Sequence, residues 1–567
     1  MTFDRFGGRV EGGGRLFLQV LPVFLVSLGF LMLLAPSAPF TKELGVCESG
    51  AVHDVLAGHV ILPSYAAGEM IQTPPLFWWA AALSVRALGW TEAGLRAPSI
   101  VAAAVTCAIL YAWIAATIGR RAALWAAAAL ISSHYFADAS RQPRMDEMLT
   151  MFLTGALVCL ERMLAGKAYR RASFASAAAV LMGLAALTKG PLGVILPGLT
   201  IVLLLALRRQ FLELFSFDLV ATFAAAVGIG FAWYWAAYEV GGSQFLQWQV
   251  VNGLWQRYSG AAPLCPHPFY YFLPHLISGF LPWSLYLPAL VAMMWLRRTS
   301  LCAEMTFAVC WFVAIFGFFS TSAGKCQVYI LPAFPPLAAL IGWLIAEQSG
   351  PDGKRGLSSR LFDLGSAATG AGVLVIAIIG TGLLIFGVPT YLVRHLHSSD
   401  RNFLATFISL GGSRSIAFAL WAAAWLIGAL MALRALWPGN SRIASWGVSV
   451  IALTGAAFWF GTMNPTLAQQ LSLKSFAAEV NHSLPADARL DYIGRTDCDF
   501  VFYSIRPVGL AEQFECDGGA GPQQYFIIRQ DDLASLSASQ RACLSQVAQS
   551  ASVDKQGRRF LMVEGRK

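Results

Sequence analysis

Residues 183–198 read GLAALTKGPLGVILPG. Two apolar segments meet here at one cation, Lys189, followed at once by Gly190 and Pro191. Extended outward, the first becomes an apolar run over 172–188 and the second a run over 190–207. At about 1.5 Å per helical residue, each run comes close to the ~30 Å of a bilayer hydrocarbon core. Gly-Pro interrupts the helix between them. The segment therefore predicts two antiparallel membrane helices joined at a tight turn, with the lysine at the turn. A lysine in that place is costly unless it meets water or an anion, which makes Lys189 a phosphate-ligand candidate. Snorkelling of the ammonium to the interface is the alternative.

The same pattern fills most of the chain. Apolar runs lie near 16–36, 97–118, 122–138, 147–164, 172–188, 190–207, 218–238, 270–296, 304–321, 328–346, 366–388, 415–433 and 443–461, thirteen in all. Over 567 residues the composition is 57% hydrophobic and 13% charged, with a mean hydropathy of +0.60. Soluble domains average roughly 45–50% apolar and about 25% charged. A soluble enzyme, a disordered chain and a small disulfide scaffold are excluded. A further stretch over 76–89, LFWWAAALSVRALG, carries Arg86 and is short for a span. It reads as an interfacial or re-entrant helix.

The net charge of +9 is mostly topological. With thirteen spans and the N-terminus inside, one set of loops carries Arg5/Arg9, Arg120/Arg121, Lys167/Arg170/Arg171, Arg208/Arg209, Arg297/Arg298, Lys354/Arg355/Arg360 and Arg434/Arg442. That is the positive-inside pattern, and it leaves no surplus to suggest nucleic acid. The expected fold is mainly α: a polytopic membrane protein of about 13 transmembrane helices over 1–464, with interfacial helices in an external loop over 37–96. A C-terminal extramembrane α/β domain is expected over 465–567, where DYIG, FVFYSI and QYFIIR read as strands and DDLASLSASQRACLSQV as helix. On an oxidising side of the membrane a Cys498–Cys516 bridge is the expected pairing, leaving Cys543 odd. Cys107, Cys159, Cys302 and Cys310 read as small apolar residues inside spans.

Charges on the opposite side from the basic loops need another explanation. They include Glu43, Glu48, Asp54, Arg96, Arg141, Arg144, Asp146, Glu147, Lys189, Arg257 and Lys325. Many stand at the ends of different spans on one membrane face. Lys and Arg suit phosphate, and a carboxylate beside them suits base or orienting work toward an acceptor. The combination predicts an anionic lipid donor entering from the bilayer and a polar acceptor reaching it from outside.

Four segments carry a resemblance. They are CESGAVHDVLAGHVILP (47–63) followed by EMIQTPPLFWW (69–79), then SRQPRMDEMLTMF (140–152), GLAALTKGPLGVILPG (183–198) and FFSTSAGKCQVYILPAFPPLAALIG (318–342). Together they resemble the GT-C glycosyltransferases that use polyprenyl-phosphate sugars. The closest branch is similar to the ArnT-type lipid A aminoarabinose transferases and to the dolichyl-phosphate-mannose protein mannosyltransferases. Pro74, Pro75 and Leu76 fit a family motif that has Glu and Lys where this chain has Gln72 and Thr73. Cys47-Glu48 stands where relatives commonly have Asp-Glu. In the loop from QWQVVNGLWQRYSG to CPHPFYYFLPHL, Arg257-Tyr258 matches a family stretch, and Cys265 occupies the usual place of a histidine, with His267 displaced.

The resemblance implies an inverting glycosyltransferase of the bacterial inner membrane, with a periplasmic C-terminal domain. The donor would be an undecaprenyl- or other polyprenyl-phosphate sugar and the acceptor lipid A or a related glycolipid. Glu48, Asp146 and Asp54, then Glu43, are the catalytic carboxylate candidates. Arg141, Arg144, Lys189, Arg257 and Lys325 would hold phosphate, with Tyr258, Tyr329, Gln72 and Thr73 in the substrate site. A divalent metal on Glu48 and His267 is the one cofactor considered. The rivals are a protein O-mannosyltransferase-like enzyme and a non-catalytic binder or transporter of lipid-linked sugars.

Overall fold

The arrangement of the apolar runs was taken from a computed structural model. It describes residues 13–34, 37–41, 44–65, 70–71, 73–166, 168–247, 249, 266–298, 301–349, 356–386, 388, 398–412, 416–437, 439–485, 488–494, 497–504, 508–511, 524–550 and 559–565.

The first half builds eleven helices: α1 (Gly13–Leu33), α2 (Leu44–Cys47), α3 (Gly50–Leu56), α4 (Leu76–Leu88), α5 (Glu92–Thr117), α6 (Arg120–Ser132), α7 (His134–Ser140), α8 (Met145–Ala165), α9 (Ala168–Lys189), α10 (Leu192–Leu207) and α11 (Phe217–Phe245). Helices over Ala303–Thr321, Phe334–Gln348, Leu357–Phe386, Ile416–Leu433 and Ser441–Phe458 continue the bundle. Among the described residues nine helices are long and apolar enough to cross a membrane, or ten if the bent pair Phe272–Gly279 and Trp283–Leu296 is one span. Three shorter apolar helices, Leu18–Leu33, Leu76–Leu88 and Leu192–Leu207, accompany them. The protein is a polytopic membrane protein. A count of thirteen crossings requires α1, α6 and α10 as well.

The helices alternate direction, so their ends fall on two faces. One face carries the basic turns, tied by Arg171–Asp218 at 2.7 Å and Arg297–Glu347 at 2.9 Å. The other carries the end of α1, α2–α4, and the junctions α7–α8 and α9–α10. Gly190 makes the α9–α10 turn with φ of 71°, a left-handed conformation that a side chain resists. Gly193 then lets α10 press on α9, because a Cβ there would lie 2.2 Å from the Ala186 backbone nitrogen.

The chain ends in an α/β unit. Its five-stranded sheet comprises β1 (Arg489–Ile493), β2 (Val508–Ala511), β3 (Gln524–Arg529), β4 (Leu544–Gln549) and β5 (Phe560–Gly565), in the order β2-β1-β3-β5-β4. The β2-β1-β3 pairs are parallel and β3-β5-β4 antiparallel. DYIG and QYFIIR are strands as expected. FVFYSI is not: Cys498–Tyr503 is a helix whose N-cap Asp497 accepts from the Asp499 amide. Phe500 packs toward the sheet and Phe502 toward the membrane unit. With both faces covered, periodicity alone does not separate helix from strand in so short a run. The expected helix at 531–547 is two short helices, Gln530–Ser535 and Ala538–Ala542, that lead into β4.

The expected Cys498–Cys516 bridge is also corrected. Cys498 is bonded to Cys47, 451 residues earlier, with Cα atoms 4.7 Å apart. Packing of α2 against the Cys498–Tyr503 helix brings them together. Cys543 is disulfide-bonded too, so it is not the odd cysteine. Cys516 lies outside the described residues. Cys107, Cys159, Cys302 and Cys310 are free, in agreement with the sequence reading.

The hairpin predicts a stability defect. Gly193→Ala forces backbone movement between α9 and α10 and costs about 1–3 kcal/mol. The expected result is a lower unfolding temperature of the detergent-solubilised protein, and an unchanged value would contradict the close packing.

Candidate active site

The site begins where two helix ends meet. Arg144 caps α8 in an extended conformation, and Asp146 lies in its first turn. Lys189 is the last residue of α9. A carboxylate at a helix N-terminus and an ammonium at a C-terminus each complement the helix dipole. Here they meet each other. The Lys189 ammonium donates to one Asp146 oxygen, and Arg144 Nε donates to the other at 3.2 Å. Asp146 is only 3% exposed, so both cations serve a charge that has left water. Leaving such a charge with one partner fewer costs about 3–5 kcal/mol.

A third element closes on this pair. The Gln327–Ala333 turn sets the Tyr329 ring 4.6 Å from the Lys189 ammonium, a cation–π contact. Just before it, buried Lys325 donates to the Ser322 carbonyl and, at 3.0 Å, to that of His267. Cys326 and Glu48 both act electrostatically on Arg144. Glu48 follows α2, which lies directly on the α7–α8 turn: a Cβ on Gly45 would fall 2.0 Å from the Pro143 carbonyl oxygen. Glu48, Arg144, Asp146, Lys189, Lys325 and Tyr329 thus gather from four separated segments.

Other candidates are placed differently. Arg141 is buried, facing Asp138 at 3.6 Å and the Phe460 ring at 5.4 Å. Asp54 accepts from the Ser64 amide at 2.7 Å, from the Ser64 hydroxyl at 2.9 Å, and pairs with His59 at 2.7 Å. Partial burial pushes its carboxyl up, but those hydrogen bonds outweigh it and hold it below the usual carboxylate range. Its cavity of about 210 Å³ also includes His53 and Tyr65. Thr73 is half-buried, and its hydroxyl oxygen has no hydrogen-bond partner among the described residues. Glu43, Gln72, Arg257 and Tyr258 lie outside the described residues.

One neighbour, Tyr135, escaped the sequence reading, and another, Glu147, was noted there as a charge but given no role. Tyr135 on α7 lies within the electrostatic reach of Asp146 and Arg144. Glu147 is fully buried on α8, and among the described residues its oxygens have no hydrogen-bond partner. For Tyr135 the only sequence signal is its position shortly before the SRQPRMDE motif.

The donor set does not fit a resident metal. Glu48 lies beside a guanidinium, while His267 stacks on Tyr271 at 4.1 Å and offers Lys325 its backbone carbonyl. Among the described residues no three His, Cys, Asp or Glu side chains cluster to hold an ion.

Comparison with solved structures places this bundle and its appended sheet. ArnT from Cupriavidus metallidurans, crystallised with undecaprenyl phosphate, superposes with a TM-score of 0.74 over 97% of each chain at 19% identity. The chain has the ArnT fold. The apo form of the same protein gives a TM-score of 0.73 over the same share. Sequence comparison agrees with the resemblance read from the motifs. Residues 72–235 match the family described as dolichyl-phosphate-mannose-protein mannosyltransferase. An undecaprenyl phosphate-alpha-4-amino-4-deoxy-L-arabinose arabinosyl transferase of Pectobacterium atrosepticum is 30% identical over 51% of this chain and 52% of its own. One from Edwardsiella ictaluri is 27% identical over 76% and 73%. The chain spans about half the length of most of these curated relatives.

Within this ArnT fold, two outcomes are expected. Lys189→Met and Asp146→Leu should each lower stability by about 3–5 kcal/mol, and the double variant by less than their sum, since the two residues then no longer leave each other unpaired. Strict additivity in chemical unfolding would contradict the ion pair. The Asp54 carboxyl is depressed on folding, so its stabilisation is present above the unfolded value of about 3.9. It is lost as pH falls through the lower folded value. Amide protection at 57–65, taken relative to the intrinsic exchange rate at each pH, should therefore fall on acidification to pH 3 in wild type. In Asp54→Asn that loss of protection should be missing.

Proposed function

We propose that the protein is an integral-membrane glycosyltransferase that moves a sugar from undecaprenyl phosphate to a lipid or glycolipid acceptor, lipid A foremost. The reading is carried by the doubly paired Asp146, set with Glu48, Lys325 and Tyr329 on the face opposite the basic loops. The names of the curated relatives support 4-amino-4-deoxy-L-arabinose as the sugar and undecaprenyl phosphate as its carrier. Charge bias supports thirteen spans in a bacterial inner membrane, with a cytoplasmic N-terminus, domains at 1–464 and 465–567, and the latter in the periplasm.

The acceptor oxygen attacks the anomeric carbon from the side opposite the carrier. The bond from that carbon to the carrier phosphate oxygen breaks, its electron pair leaves with the phosphate, and configuration inverts. Lys189 and Arg144, with Lys325 and Arg257, stabilise the charge that develops on the leaving phosphate. Asp146 is a poor base because two cations already hold its ionised form. Its task is to fix those cations. Glu48, half-buried and held by α2, is the carboxylate left to receive a hydroxyl proton or to orient an acceptor. An acceptor phosphate is already anionic and needs only orientation. Gln72, Thr73 and Tyr258 would contact the sugar. Thr73, standing where relatives carry Lys, removes one cation from the donor site.

The test is reconstitution in vesicles with undecaprenyl phosphate-4-amino-4-deoxy-L-arabinose and lipid A. Glu48→Gln, Asp146→Asn, Lys189→Ala and Lys325→Ala should each lower transfer by about 10²-fold or more. Transfer surviving all four would sink the site, and donor translocation without transfer would sink the enzyme. The mannosyltransferase family match at 72–235 favours a second arm with a protein acceptor and a polyprenyl-phosphate mannose donor.

A further inference from the structure

The loop that carries Glu48 is held from two sides. On one side Gly45 rests on the Pro143 carbonyl, next to Arg144. On the other, the adjoining residue Cys47 is covalently bonded to Cys498 of the C-terminal unit. The hold extends beyond the disulfide. The Tyr503 hydroxyl accepts from the Phe40 amide at 2.8 Å and donates to Glu92 Oε1 at 2.9 Å. Glu92 is buried, and Lys474, at the start of the C-terminal unit, pairs with it at 2.7 Å. The Trp90 indole donates to the Phe502 carbonyl at 3.1 Å, and its ring lies between His53 and Phe502. The helix Cys498–Tyr503 therefore holds the Glu48 loop directly before the carboxylate, at Phe40 and Cys47, and reaches His53 after it through the Trp90 ring.

We infer that the Cys498–Tyr503 helix is a positioning element for Glu48, with the Cys47–Cys498 disulfide as its principal tie. The inference rests on the proposed role of Glu48 in glycosyl transfer. A short loop residue has no helix or strand to fix its side chain. Here the constraint comes from the last folded unit of the chain, pulling on the residue next to the carboxylate. Loss of the tie frees Glu48 from Arg144 while leaving Asp146, Lys189 and Tyr329, which belong to other segments, in place. Turnover is therefore the quantity that falls, and the apparent affinity for the lipid-linked donor is not.

The decisive comparison uses Cys47→Ser/Cys498→Ser, which removes this disulfide, spares that of Cys543 and creates no odd thiol. In the reconstituted assay kcat should fall about tenfold or more, as expected when a reacting group loses its placement. The donor KM should stay within about twofold. The same pair introduced into Glu48→Gln should leave the residual rate unchanged, because the two lesions act through one carboxylate. An equal further loss in Glu48→Gln, or a wild-type kcat in the double variant, would overturn the inference. Should the double variant not fold, mild reduction of folded wild type, with alkylation mapped to Cys47 and Cys498, supplies the same comparison. Hydrogen exchange over 44–56 gives a readout independent of chemistry. It should accelerate on loss of the tie, while the start of α8 keeps its protection. Absence of transfer in oxidised wild type would defeat the functional reading alone, and the exchange pattern would still decide the positioning.

Discussion

A carboxylate that has left water and must be paid for governs this structure. Asp146 tolerates burial only because an ammonium and a guanidinium reach it from two directions, and each of those cations constrains a different segment. Lys189 reaches Asp146 because Gly190 ends α9 where it does. Arg144 reaches it because the chain is extended just before α8 begins. The Tyr329 ring covers the ammonium that the pair brings forward. The convergence of these segments is one arrangement with one electrostatic cause, and the loss of either cation leaves a buried ion.

The fold keeps two populations of charge apart. Arginines at the basic face pair with acids there, as Arg171 does with Asp218 and Arg297 with Glu347. Those half-exposed pairs contribute little to stability. On the opposite face fewer charges lie deeper, and desolvation strengthens their interaction with each other and with any anion that enters. The same residue type is therefore half-exposed at one end of the bundle and buried beside a carboxylate at the other.

The parts of this picture legible in the sequence were local. Apolar runs announce membrane helices by length, and most are helices in the fold. Lys189 and Asp146 were conspicuous because each interrupts or opens an apolar run, where a charge is costly unless it is paired or meets water. Their pairing could not be read, since it depends on how α8 packs against α9. Residues joined across long separations were invisible for the same reason. Nothing near Cys498 points to Cys47, and nothing near Glu92 points to Lys474 or Tyr503. FVFYSI was misread because both of its faces are covered, which erases the alternation that separates strand from helix. Asp54 stood in a motif that the sequence shows, but its pairing with Ser64 and His59 depends on the turn between them and was not legible.

The Cys47–Cys498 bond also imposes an order of events. It joins the loop after α1 to the helix Cys498–Tyr503, so the nine helices long and apolar enough to cross a membrane among the described residues lie within one covalent ring. That ring cannot close until residue 498 has been synthesised, after all the enclosed spans. The loop bearing Glu48 is made long before Cys498, which must follow for the bond to lock it. A chain stalled before residue 498 thus carries Arg144, Lys189 and Asp146 but lacks the tether on the Glu48 loop beside them.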